Sequence, residues 1–329
     1  MSSPPTPTPL PPPLPSLLQP QQREELEEEG CGRNWVELPR DVTGSILLRL
    51  GAIEILTNAQ RVCTTWHSIC KEPTMWRSID MHNHGDLWDT EYDIDKMCRH
   101  AVDRSSGGLV DINIEYFGTD DLLRYITDST SHLKRLRLVS CYSITDDGLS
   151  GLAAKAPLLE ELEISYCSLS KESLEVVGRC CPLLRTLKLN CQGYKLPHIE
   201  CDEEALAIAR TMPGLHHLQI FGNKLTNDGV QAILDGCPHL ESLDLRQCFN
   251  VNLEGNFGKR CSERIKDLRR PDDSTNDYPF DLEIPENRSS EEDYPYGFSD
   301  VDFLSDDYDY YEFSGGSDFS DYDAGLFFD

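Results

Sequence analysis

The chain is 329 residues long and carries 58 acidic residues against 30 basic ones, a formal charge of -28. That balance argues against nucleic acid and against anionic membrane surfaces as partners, because both need clustered Lys and Arg. The excess is uneven: residues 271–329 hold 19 of the acidic residues and one basic residue, Arg288, which leaves a body of mixed charge.

Thirteen cysteines, an odd number spread along the chain, suit reduced thiols in the cytoplasm or nucleus better than a disulfide framework. No Cys-x-x-Cys spacing occurs, which removes zinc-ribbon and RING-type sites. The isolated pairs His82/His84 and Cys98/His100 read as structural or surface residues, so neither a metal nor a cofactor is expected. No run reaches the ~18 apolar residues of a membrane span. Residues 1–20 contain nine prolines and no basic residue, unlike a secretory leader.

Residues 1–33 are Pro-rich and then acidic; with little apolar surface to offset chain entropy, they are predicted to be disordered. Residues 34–80 form an apolar block that reads as three short helices. Leu38-Pro39 opens the first, with Val42, Ile46, Leu47 and Leu50 on one face and Gly51 as its stop. Ile55, Leu56, Ala59 and Val62 mark the second, and Trp66 and Ile69 the third, before Pro73 and Trp76. So small a core leans on a partner. Residues 81–108 read as a linker ending in a closing helix whose face is Ile94, Met97, Cys98 and Ala101.

From residue 109 the sequence is periodic. L-x-x-L-x-L recurs at Leu109/Ile112/Ile114, Leu133/Leu136/Leu138, Leu159/Leu162/Ile164, Leu184/Leu187/Leu189, Leu215/Leu218/Ile220 and Leu240/Leu243/Leu245. Starts lie 24, 26, 25, 31 and 25 residues apart, the period of leucine-rich repeats. Cys141, Cys167, Asn223 and Cys248 recur where each strand turns away, and a small polar group there can bond the backbone as a ladder. Helices follow, opened by Thr145, Ser170, Asp202 and Thr226 as N-caps and closed by Pro157, Pro182, Pro213 and Pro238. The predicted fold is therefore an α/β leucine-rich-repeat solenoid of about six repeats in an open arc over residues 109–270, preceded by a small three-helix module and flanked by disordered termini. Phe257, Cys261, Ile265 and Leu268 are expected on one face of a C-terminal capping helix.

The leucines are core. Binding belongs to the side chains between them, which point from the strand face. Arg135, Arg137, Glu161, Glu163, Lys188, His217, Phe221, Asp244 and Arg246 are the candidates, and their charge changes sign from unit to unit. That pattern suits a folded protein or peptide docked by complementary pairs. The fourth unit carries extra residues, Gly193–Glu200, a contact candidate at the rim. Residues 271–329 mix acids with many Tyr and Phe, a composition like docking segments that fold only on binding, and are expected to be disordered.

Leu38-Pro39, Ile46-Leu47-x-x-Leu50, Val62-Cys63-x-x-Trp66 and Pro73-x-x-Trp76 resemble the F-box. Followed by Cys-containing repeats, the chain resembles the plant F-box/leucine-rich-repeat proteins, of the group that partners plant Skp adaptors. The resemblance implies a non-catalytic substrate receptor of an SCF-type ubiquitin ligase. Leu38, Pro39, Ile46, Leu47, Leu50, Val62, Cys63 and Trp66 would hold the Skp-type adaptor, which joins a cullin and a RING subunit. The repeats would hold the protein to be ubiquitinated. Six repeats make a shorter arc than the closed hormone-receptor members of the family, so no buried small-molecule pocket is implied. The alternative is a scaffold that uses F-box and repeats for protein interaction outside any ligase.

Overall fold

The computed structural model describes residues 38–83, 92–193 and 199–279. The expectations for residues 1–33, and for the inserted stretch 194–198, lie outside these residues.

The apolar block forms α1 (Arg40–Leu47), α2 (Ala52–Thr57) and α3 (Thr64–Cys70), with single 3₁₀ turns at Ala59–Arg61 and Pro73–Trp76. Pro39, already fixed near a helical φ, sits at the N-cap of α1. The Cys63 thiol caps α3 by accepting from the Trp66 N–H at 3.5 Å. Arg40, at the start of α1, donates to Glu72 and Ser68 at 2.9 Å each, tying α1 to the end of α3.

One parallel sheet follows, its eight strands in sequence order. They are β1 (Ser78–Met81), β2 (Asp111–Glu115), β3 (Arg135–Val139), β4 (Glu161–Ser165), β5 (Thr186–Asn190), β6 (His217–Gln219), β7 (Ser242–Asp244) and β8 (Asp267–Arg269). The register places Ile79, Ile112, Leu136, Leu162, Leu187, Leu218, Leu243 and Leu268 in one continuous row. Because side chains alternate across a strand, that row enters the core while its neighbours face outward.

The strands are joined by α4 (Ile94–Arg104), α5 (Asp120–Ser129), α6 (Asp146–Lys155), α7 (Lys171–Cys180), α8 (Glu203–Thr211), α9 (Asn227–Gly236) and α10 (Gly255–Arg264). The prolines at 157, 182, 213 and 238 each fall two residues past a helix end.

All six predicted units carry a strand, and two strands were not anticipated. β1 spans the expected boundary at residue 80; its signal is only two inward residues, Ile79 and Met81, alternating with polar ones. With β1 on one side of it and β2 on the other, α4 is a crossover helix of the solenoid rather than its closing cap. At the other end α10 stops at Arg264, so Ile265 and Leu268 leave the helix and enter β8. A three-residue spacing fits both a helix face and a repeat's strand entry. The strand wins because the edge of β7 supplies partners: Asp267 N–H donates to Glu241 at 3.1 Å and Leu245 N–H to Arg269 at 3.0 Å.

Two side-chain ladders join the units. The thiols of Cys141, Cys167 and Cys248 donate to the preceding unit's strand, at Ile114, Leu138 and Ile220 respectively. The carboxylates of Asp120, Asp146 and Asp202 each accept both the N–H and the hydroxyl of the next unit's Thr145, Ser170 or Thr226, at 2.7–2.9 Å. Thr145, Ser170 and Thr226 in turn cap α6, α7 and α9 as expected. Asp202 does not cap α8, because its carboxylate is committed to Thr226.

Candidate functional site

Two surfaces stand out. The first is on the helical module, where α1 packs against α3. Val42, Leu48, Leu50 and Val62 are exposed there, Leu48 by 54% and Val62 by 58%. Pro39 is exposed, and Leu38, Ile46, Cys63 and Trp66 are half-buried. The Trp66 ring packs on the core, yet its buried Nε1 has no hydrogen-bond partner among the described residues. Leu47 departs from expectation. It is 0% exposed and anchors α1 in the core, so it supports the surface without belonging to it. Leu48 was missed because it falls one step off the periodic face, in the turn after α1.

The second surface is the strand face. Its charged side chains pair with each other across adjacent strands. Arg135 meets Asp111 at 3.0 Å; Arg137 lies between Glu115 at 3.2 Å and Glu163 at 3.0 Å; Lys188 reaches Glu163 at 3.0 Å. The sign alternation read from the sequence is thus an internal ladder along the sheet. Burial pushes the Glu163 carboxyl up, but the Lys188 and Arg137 charges outweigh it and hold the group below the ordinary carboxylate range. Glu161 and His217 project into solvent.

Phe221, Asp244 and Arg246 sit differently. All three are buried, and the cover is the chain itself. Residues 271–279, expected to be disordered, instead continue from β8 and fold back over the face. Tyr278 is 8% exposed and stacks on Phe221, centroids 3.9 Å apart and planes 6° from parallel. Asp277 accepts from Arg246 at 2.5 Å and from Arg269 at 2.6 Å. Composition hid this contact, because an acidic stretch rich in tyrosine reads as unfolded unless cations and an aromatic ring await it. Residues 280–329 lie outside the described residues.

Of the His/Cys pairs, His82 bonds Glu115 at 2.8 Å and Cys98 is buried in α4, its thiol pushed up to about 12 by burial. His84 lies outside the described residues. Every cysteine among the described residues is free.

A profile of F-box-like domains matches residues 35–82. Profiles of the leucine-rich repeats of an FBD-associated F-box protein and of a leucine-rich repeat match residues 108–208 and 213–234. The chain is 58% identical over 299 residues to F-box protein SKIP19 of Arabidopsis thaliana, covering 90% of this chain and 95% of that one. It is 60% identical over 243 residues to putative F-box/LRR-repeat protein 23 of the same plant, covering 74% of this chain and 54% of the relative. F-box protein SKIP1, also from Arabidopsis, is 32% identical over 273 residues, with 75% and 89% covered. A helical module at the head of a parallel repeat sheet defines an F-box joined to leucine-rich repeats. The chain belongs to the F-box/leucine-rich-repeat family.

Proposed function

We propose that this chain is the substrate receptor of an SCF-type ubiquitin ligase, acting in the cytoplasm or nucleus. The observation that carries the reading is the exposed aliphatic surface made by Val42 of α1, Leu48 and Leu50 in the turn after it and Val62 in the turn before α3, on a module that matches the F-box. Burying an aliphatic side chain contributes ~1.5–3 kcal/mol, so a few such anchors hold a Skp-type adaptor firmly. The adaptor brings a cullin and a RING subunit. The strand face holds the target protein, and the chain performs no chemistry itself. Its contribution is proximity: a target lysine held near a charged ubiquitin carrier reacts at a raised effective concentration.

Copurification from plant cells tests this. The intact chain should recover adaptor and cullin together, and Leu50→Glu with Val62→Glu should lose both while leaving the fold unchanged by circular dichroism. Adaptor recovered without cullin would mean a scaffold outside the ligase. Undiminished recovery by the folded double variant would refute the F-box surface.

A further inference from the structure

The segment that folds over the strand face does more than cover the end of the sheet. A cap for β8 needs to reach only β8. The Pro271 carbonyl accepts from the Gln247 N–H at 2.9 Å, and beyond it the chain runs back across earlier strands. Tyr278 stacks on Phe221, two residues past β6, and accepts a hydrogen bond at 3.2 Å from the hydroxyl of Tyr166, which directly follows β4. Asp277 is held by Arg246, two residues past β7, and by Arg269 at the end of β8. One acid and one aromatic ring are thus read by groups drawn from four repeats.

The contact is built for a short motif. Arg246 is almost fully buried, fixed by Asp244 at 2.7 Å, and its guanidinium lies 5.6 Å from the Phe221 ring centroid. A preset cation beside a preset aromatic surface is complementary to an adjacent acid and ring. The outer half of the contact is open, since the side chains of Asp277 and Arg269 are both substantially exposed. A cavity of ≈ 440 Å³ adjoins it, bordered by Lys188, His217, Gln219, Asp267 and Pro279. That volume admits the residues flanking a bound peptide. The sequence repeats the docked tripeptide: Asp277-Tyr278-Pro279 recurs as Asp293-Tyr294-Pro295.

We propose that the end of the strand face is a receptor site for an Asp-Tyr-Pro segment of the target protein, and that residues 277–279 occupy it in cis as a stand-in. This rests on the target-binding reading of the repeats and gives that target a chemical class. A segment tethered to the site fills it at an effective concentration near the millimolar range. A target must therefore outcompete it, by affinity or by several such segments.

The test uses the full chain bound to its adaptor and a fluorescent peptide of the sequence Ser274–Phe280. The second copy is removed from both chains by Asp293→Ala and Tyr294→Ala. By anisotropy, Asp277→Ala with Tyr278→Ala should then bind the peptide about ten-fold more tightly than the chain that keeps Asp277 and Tyr278, since no tethered competitor is left. Peptides lacking the acid or the ring should lose about ten-fold. Arg269→Ala in the double variant should lose about five-fold. Equal affinity of the two chains, or no binding by a double variant that still recovers adaptor, would overturn the proposal. If the double variant does not fold, Asp277→Asn at the exposed carboxylate replaces it. A gain of about three-fold is then expected, and no gain overturns the idea. Adaptor recovery in the same samples reads the ligase assignment separately: losing it from the unaltered chain counts against the F-box function and leaves the peptide result standing.

Discussion

Leu47 and Val62 carry the same sequence signal and have opposite fates. Both are aliphatic residues in motif positions of the F-box; one is 0% exposed and the other 58%. The motif alone cannot separate them, because it records which positions are apolar and leaves open whether core or partner buries them. Truncating Leu47 to Ala removes core volume and should destabilise the chain by ~2–5 kcal/mol. Val62→Ala should cost under ~0.5 kcal/mol of stability, as surface changes do, and should show instead as weaker adaptor binding. Urea unfolding beside adaptor titration checks the pair, and a Val62→Ala chain as unstable as Leu47→Ala would sink the assignment. Phe221 shows the same ambiguity on the strand face. Its alternation predicted an outward side chain, which is where it points, and only Tyr278 arriving from 57 residues downstream makes it buried.

At the level of elements, the repeat was fully legible wherever strand, turn and helix signals coincided, and illegible where a unit was cut short. β2 to β7 follow the leucine pattern. β1 and β8 have too few apolar positions to announce themselves and form because a neighbouring edge offers a ladder of backbone partners. The Asp120, Asp146 and Asp202 clamps were within reach of the sequence, for each sits 24 or 25 residues before the Thr or Ser it holds. The Asp146 clamp adds a pH dependence. Burial raises the Asp146 carboxyl, and hydrogen bonds from Ser173 and Ser170 more than reverse that; Glu163 is likewise lowered on balance by Lys188 and Arg137. Folded-state values below the ordinary 3.8 and 4.5 mean that the charged forms favour the fold. Their contribution is complete above about pH 4.5 and is lost as the pH falls through the folded values. Asp146→Ala, which leaves the Ser170 N–H without its acceptor and the hydroxyl with Glu172 alone, should cost ~1–3 kcal/mol at pH 7. The cost should shrink toward pH 3. Urea midpoints at the two pH values decide it, and a cost that grew on acidification would contradict the clamp.

For the whole molecule, the F-box and the repeats share a core instead of meeting at a linker. The buried cluster runs without a break from Leu47 to Ile265. α4 is the stitch: Arg104 donates to Gln60 at 3.0 Å and to the Cys70 carbonyl at 3.4 Å, and its guanidinium lies 5.4 Å from the Trp76 ring centroid. Trp76 itself donates to the Cys70 carbonyl at 2.7 Å. β1 then carries the module's backbone directly into the sheet, in register with β2. The small helical core therefore draws its stability from the array, and the array's first strand comes from the module. All four tryptophans lie within the first 88 residues, whereas most helical residues lie in the repeats, so two optical signals report the two halves. Tryptophan fluorescence and far-ultraviolet circular dichroism should give coincident urea transitions, as one cooperative unit requires. Cys70→Trp would overfill the buried junction and should shift both curves together. A tryptophan transition more than about 0.5 M below the helical one would mean that the F-box melts from an intact array, and the shared core would then be contact without coupling.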